Sequence, residues 1–163
     1  MKRNSHLKSV LSMTLLFLLI FQVSAFASVT KEEALNTAKE LVPADCKATE
    51  VSCNKKTHVW ECEFLTKNKR IEYEVEVDEI TGKVKKLERE KIFDKGGKYV
   101  RITKAKAKKA VLKLFPDVVI TKVKKAKDGE KYIYRVWFTG DGFRGDAEVN
   151  AQTAAINEWT KFF

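Results

Sequence analysis

"IEYEVEVDEITGKV", residues 71–84, is the stretch whose reading decides the fold. Ile71, Tyr73, Val75 and Val77 alternate with Glu72, Glu74 and Glu76. A period of two marks a strand with one buried and one wet face, which suits an antiparallel sheet. The pattern then breaks at Asp78 and Gly82. The aspartate can accept from backbone N–H groups within a turn, and the glycine can adopt a positive φ. "VKKLE", residues 84–88, follows as a short further strand. The same frame returns seventy-two positions later as "NAQTAAI", residues 150–156, with Asn150 for Asp78 and Ala154 for Gly82. Left-handed geometry at alanine costs about 1–2 kcal/mol, so the sequence predicts a different turn there.

The repeat extends outward. "VTKEEALNTAKELVP" (29–43) lies over "ITKAKAKKAVLKLFP" (102–116). Thr30 and Thr103 are N-caps, and Glu33 completes a capping box with Thr30. Ala34, Leu35, Ala38, Leu41 and Val42 form one helical stripe; Ala107, Ala110, Val111, Leu114 and Phe115 form the other. Pro43 and Pro116 close the helices, because proline disfavours helical geometry in the residue before it. "HVWECEFL" and "YIYRVWF" then alternate as strands, with hairpins at "TKNK" and "TGDG". The expected class is α+β: two repeats, each one helix packed on an antiparallel sheet of three or four strands. A unit of about 60 residues buries limited apolar surface alone, so the two are expected to share a core or dock firmly. The expected organisation is a leader at 1–27, a first unit at 28–90, a linker at 91–99 carrying Gly96-Gly97, and a divergent second unit at 100–163.

The leader has Lys2, Arg3 and Lys8, then a short apolar run, then Ala25 and Ala27. That order describes a secretory signal peptide cleaved near Ala27; an uncleaved membrane anchor is the alternative. The chain is therefore expected to be secreted or held in the cell envelope. Cys46, Cys53 and Cys62 then lie where disulfides persist, and one bond among them with one spare thiol is expected. The charge is uneven. Residues 28–90 hold twelve Lys/Arg against fourteen Asp/Glu, whereas residues 100–163 hold fourteen against seven.

"VTKEEAL" closed by a proline, an aromatic-bearing strand and "YEVEVDEITGKV" together resemble the PepSY family. The resemblance covers residues 29–90 well and 102–160 more loosely, which makes the protein similar to a tandem PepSY protein behind a signal peptide. It implies a PepSY or cystatin-like arrangement of helix and sheet. It also implies a role in inhibiting or regulating proteases, since PepSY domains occur in propeptides of secreted thermolysin-type metalloproteases. The architecture is similar to that of secreted tandem inhibitors such as the β-lactamase inhibitory protein.

No residue set points to catalysis or a cofactor. His58 is the only histidine after the leader, and pairing it with Cys53 or Cys62 lacks the third, orienting group a nucleophilic site needs. Cys62 alternates with Trp60 and Phe64 and should point inward. The set Cys46, Cys53, His58, Cys62 lacks the close C-x2–4-C pair of zinc sites. Glu61, Glu63, Glu72, Glu74 and Glu76 read as one solvated face that also discourages aggregation. Between Arg101 and Lys131 there are eleven cations and three acids. Lys104, Lys106, Lys108 and Lys109 crowd the start of the second helix, where the macrodipole favours anions. With Lys113 they form a candidate surface for an anionic wall polymer, lipid headgroups or an acidic partner. Nucleic acid is excluded by export and by the lack of stacking aromatics among the lysines. Trp137 takes the place of Glu63 on the outward face, joined by Ile133, either as a partner anchor or as the dock between the repeats. The expected function is a non-enzymatic binding protein that regulates or inhibits an extracytoplasmic protease. The alternative is an envelope adaptor acting through the lysine-rich helix.

Overall fold

The computed structural model describes residues 28–93 and 96–163; the expected signal peptide lies outside them. The chain runs α1 (Lys31–Lys39), β1 (Lys47–Asn54), β2 (Val59–Leu65), β3 (Ile71–Asp78) and β4 (Val84–Lys91). It repeats as α2 (Lys104–Leu114), β5 (Val119–Asp128), β6 (Lys131–Gly140), β7 (Phe143–Asn150) and β8 (Ile156–Phe162). The expected short fourth strand is thus a full one of eight residues. The class is α+β, with two helices and eight strands among the described residues.

The eight strands form one sheet in the order β1-β2-β3-β4-β8-β7-β6-β5, antiparallel throughout. The order is a palindrome, so the halves meet through their equivalent last strands. Leu87 stands opposite Lys161 and Arg89 opposite Trp159 across this seam.

Thr30 caps α1 with the full capping box, its backbone N–H donating to Glu33 Oε2 at 2.8 Å. Thr103 caps α2 by accepting from the Lys106 N–H, but no acid stands in that first turn. Ala34 and Ala38 are buried in a cluster with Cys62, Phe64, Val75, Val77 and Leu87. Ala107 and Val111 are buried with Tyr134, Val136, Phe138, Ala147 and Val149. Small residues at i and i+4 let a helix lie close to strand side chains, and each large apolar group so buried contributes roughly 1.5–3 kcal/mol. Leu41 and Leu114, expected on the buried stripes, are exposed instead. Leu41 falls beyond the end of α1, and Leu114 is its helix's last residue.

Trp159 packs against both clusters and meets Phe115 edge-on at 5.4 Å. It is this tryptophan that joins the halves. The docking role considered for Trp137 is corrected accordingly: Trp137 lies on β6, two strands beyond β8.

The turn at 150–156 corrects a second expectation. Asp78 Oδ1 accepts from the Ile80 and Thr81 N–H groups, and Asn150 Oδ1 accepts from those of Gln152 and Thr153. The Gly82 N–H donates to the Asp78 carbonyl and the Ala154 N–H to the Asn150 carbonyl, each at 3.0 Å. Ala154 has φ +67 against +70 at Gly82. The second turn is a strained copy, not a different turn. Tertiary bonds hold it: the Ile102 N–H donates to the Ala151 carbonyl, and Asn150 Nδ2 donates to the Gly96 carbonyl at 2.5 Å. The glycine pair of the connector is wedged as well. Gly97 exchanges hydrogen bonds with Tyr132, and a Cβ there would meet Gln152 Cβ at 2.5 Å.

Candidate interaction surface

Both core clusters lie on the helix side of the sheet; among the described residues no helix covers the other side. A single row of facing residues crosses that open face from edge to edge. It runs Glu50, Glu63, Glu74, Glu88, Thr160, Asp146, Trp137, Lys122. A flanking row runs Glu72, Glu90, Glu158, Glu148, Arg135, Lys124. The charge asymmetry of the sequence becomes a gradient across one surface, acidic over the first half and basic at the β5 edge.

The acidic field is less wet than the sequence suggests. Glu61, Glu63, Glu72, Glu74 and Glu76 are all half-buried, because long side chains on a broad flat face cover one another. Burial raises the Glu76 carboxyl above its ordinary range. Burial also raises Glu63, helped by repulsion from Glu50, Glu72, Glu74 and Glu61. Lys86 lies amid this field, 2.9 Å from Glu88, 3.1 Å from Glu74 and 3.5 Å from Glu76. Burial pulls its ammonium pKa down, but the ion pairs with Glu88 and Glu74 outweigh it and hold the pKa above the lysine range. Sequence reasoning missed Lys86; only its place in an alternating strand hinted that it faces the glutamates. At the basic end Arg135 pairs with Glu148 and, at 3.8 Å, with Asp146.

Trp137 is half-buried on this face, with the Lys122 ammonium 5.1 Å from its ring centre. Ile133 does not join it as an accessible neighbour: it is 2 % exposed, beneath Gly96. Lys104, Lys106, Lys108, Lys109 and Lys113 are exposed on α2, on the helix side of the sheet. Trp137 and the helix lysines therefore form two surfaces, not one. Lys122, at the β5 edge, borders both.

Of the thiol and imidazole groups, Cys53 and His58 both meet Glu79, whereas Cys62 is buried in the core of the first half. Cys46, Cys53 and Cys62 stand as free thiols in this structure. Cys53 faces Trp60 and Val51 faces Cys62, so the two cysteines are diagonal neighbours. Diagonal partners stand roughly 7–8 Å apart, beyond the usual disulfide span of about 4.4–6.8 Å. Burial pushes the Cys62 thiol up to about 11, which leaves it protonated and inert at neutral pH. His58 Nδ1 is bound to Glu79 Oε2 at 2.9 Å, and Lys55 Nζ to Glu79 Oε1 at 2.6 Å. The hydrogen bonds from Lys55 and His58 hold the Glu79 carboxyl at about 2. Glu79 also donates its N–H to the His58 carbonyl and accepts from the Val29 N–H, so this cluster fastens the chain ahead of α1 to the turn. Among the described residues, the group of three potential ligands that converges within 4.8 Å is Glu88, Glu90 and Glu158. Neither His58 nor a cysteine belongs to it.

The sequence profile described as "Peptidase propeptide and YPEB domain", PepSY, matches residues 28–88 and again 101–158. The chain belongs to the PepSY family. The two PepSY matches end at Glu88 and Glu158, inside the carboxylate group that marks the seam. No curated protein matches the sequence. Among solved structures, a protein described as a candidate lipoprotein from Clostridium difficile 630 is similar at 16 % identity and a TM-score of 0.37, over 84 % of this chain and 97 % of its own. A BLIP-like protein from Bacteroides fragilis NCTC 9343 is similar at 14 % identity and a TM-score of 0.32, over 78 % and 83 %. Within the PepSY pair, the first copy keeps the capping box and the aspartate–glycine turn, and the second replaces both.

Proposed function

We propose that this PepSY protein is an exported regulator or inhibitor of an extracytoplasmic protease that acts by binding and carries out no chemistry of its own. In this reading it is built from two units of one helix on four strands, at 28–90 and 100–163, released by cleavage near Ala27. The observation that carries it is the tandem PepSY match, a family named for peptidase propeptides, together with a sheet face of eight strands left open on one side. The gradient on that face favours a partner with a cationic patch opposite Glu63, Glu74 and Glu88. Burial and repulsion from its neighbours already raise the Glu63 carboxyl, so a cation arriving beside it gains more than it would on a dilute surface. Trp137, braced by Lys122, is the anchor at the other end.

The test is a titration of the purified mature chain against secreted metalloproteases of its own organism. The reading expects dose-dependent loss of proteolysis with the chain left intact. Digestion of the chain by every such protease, without inhibition, contradicts it.

A second reading rests on a separate observation, the five exposed lysines on the helix side. In it, Lys104, Lys106, Lys108, Lys109 and Lys113 hold the protein to anionic envelope material. That binding is expected to fall steeply with salt and with Lys104/Lys106/Lys108/Lys109→Glu. Retention insensitive to both contradicts it.

A further inference from the structure

The helix side of the seam carries a surface that the protease reading does not use and that shares only Lys113 with the envelope reading. Two cavities of about 600 and 430 Å³ open there, a third of about 480 Å³ lies at the end of the sheet beside the connector, and all three reach Lys91 at the end of β4. They form one groove meeting at that residue. The largest part has Tyr73, Ile156 and Trp159 as an apolar floor and Leu114 of α2, 47 % exposed, on its wall. One neighbouring part, along the second turn and the connector, is lined by Gly96, Gly97, Gln152 and Thr153. The other is lined by Ile71 and Phe93.

Arg70, Arg89, Lys91, Lys98 and Lys113 line the groove, and among the described lining residues there is no aspartate or glutamate. That is a sharp segregation in a chain with 22 acidic residues, most of whose sheet carboxylates face the opposite side. Arg89 makes only long contacts, 3.5 Å to the Ile156 and Asn157 carbonyls, which leaves guanidinium donors for a carboxylate. The wall also includes Ala154, held at φ +67. A non-glycine residue kept left-handed beside a cavity is the kind of strain that persists at binding sites.

We infer that this groove binds an extended peptide segment carrying carboxylates beside aliphatic side chains. The floor takes the aliphatic groups and the flanking cations take the carboxylates. An acyl chain would require instead an enclosed apolar tunnel with one polar mouth. This inference is independent of the protease reading, which places its contact on the other face.

The experiment is fluorescence anisotropy of the full mature chain with a short fluorescein-labelled peptide alternating glutamate and leucine. A peptide alternating lysine and leucine is the comparison. The glutamate peptide is expected to bind and the lysine peptide not. Lys91→Glu/Lys113→Glu should weaken binding about tenfold or more, while Lys124→Glu/Lys125→Glu on β5, an equal charge change elsewhere, should change it less than about twofold. Leu114→Asp, at an exposed site, should also weaken it, which covers the case in which the double variant fails to fold. No binding of the glutamate peptide, or equal loss from the groove and β5 reversals, overturns the inference. Phosphatidylglycerol vesicles that bind through Lys91 and Lys113 when the peptide does not overturn it in favour of a membrane surface.

Discussion

Asp78 and Asn150 begin turns of the same backbone shape, yet they do different work. Asp78 is partly solvated, accepts from two backbone N–H groups and the Thr81 hydroxyl, and lies 3.3 Å from Lys85. Asn150 is only 6 % exposed and must also donate, to the Gly96 carbonyl. An aspartate there would set a buried carboxylate against a carbonyl oxygen. The exchange of aspartate for asparagine follows from the connector's crossing over the second turn. The exchange of glycine for alanine has the opposite character. Gly82 tolerates its geometry, whereas Ala154 is forced into it by its surroundings.

The largest effect that separates the turns is expected at the first position. Asn150→Asp should cost about 3 kcal/mol, since it buries an unpaired charge and loses a hydrogen bond, read as a lower urea midpoint. The second position comes next. Gly82→Ala should cost about 1–2 kcal/mol, because its Cβ would also stand 3.3 Å from Val29 Cγ2. Ala154→Gly should stabilise by about 0.5–1 kcal/mol through relief of the same geometry. Equal destabilisation by both swaps would break the comparison.

The smallest effect is in the acid limb. Hydrogen bonds from Thr81 hold the Asp78 carboxyl at about 2, against an ordinary 3.8. A depressed carboxylate pKa contributes stability that is fully present above about pH 4 and is lost as pH falls towards 2. Asn150 does not titrate. Asp78→Asn should therefore flatten the loss of stability between about pH 4 and pH 2, leaving the Glu79 contribution in place. Acid unfolding of unchanged steepness would contradict this.

Much of the fold was legible because its signals are local. Thr30, Thr103 and Glu33 announce helix starts by backbone chemistry, and the alternation through Ile71–Val77 fixes which side chains face the core. The seam was not legible. Nothing near Leu87 or Trp159 in sequence says that β4 will pair with β8, so the single sheet, the role of Trp159 and the carboxylates of Glu88, Glu90 and Glu158 came from the structure alone. Ala154 was misread because local propensity argues against a positive φ, while bonds from residues about fifty positions away decide it. For the interaction surface, the outward place of Trp137 was readable from alternation. Its separation from the α2 lysines was not, since that depends on which side of the sheet the helix packs.

The contrast between the halves leads to the functional claim, that the open face binds a protease and that the diverged half supplies the anchor. The most direct test compares Trp137→Ala with Glu63→Ala, the same register position in the first unit, in the protease titration. Trp137→Ala should weaken inhibition about tenfold or more, as loss of a buried aromatic anchor does. Glu63→Ala should weaken it less, by about twofold to fivefold, since Glu74 and Glu88 remain to hold the partner's cations. Unchanged inhibition by Trp137→Ala, or no inhibition by the unaltered chain, would contradict the account.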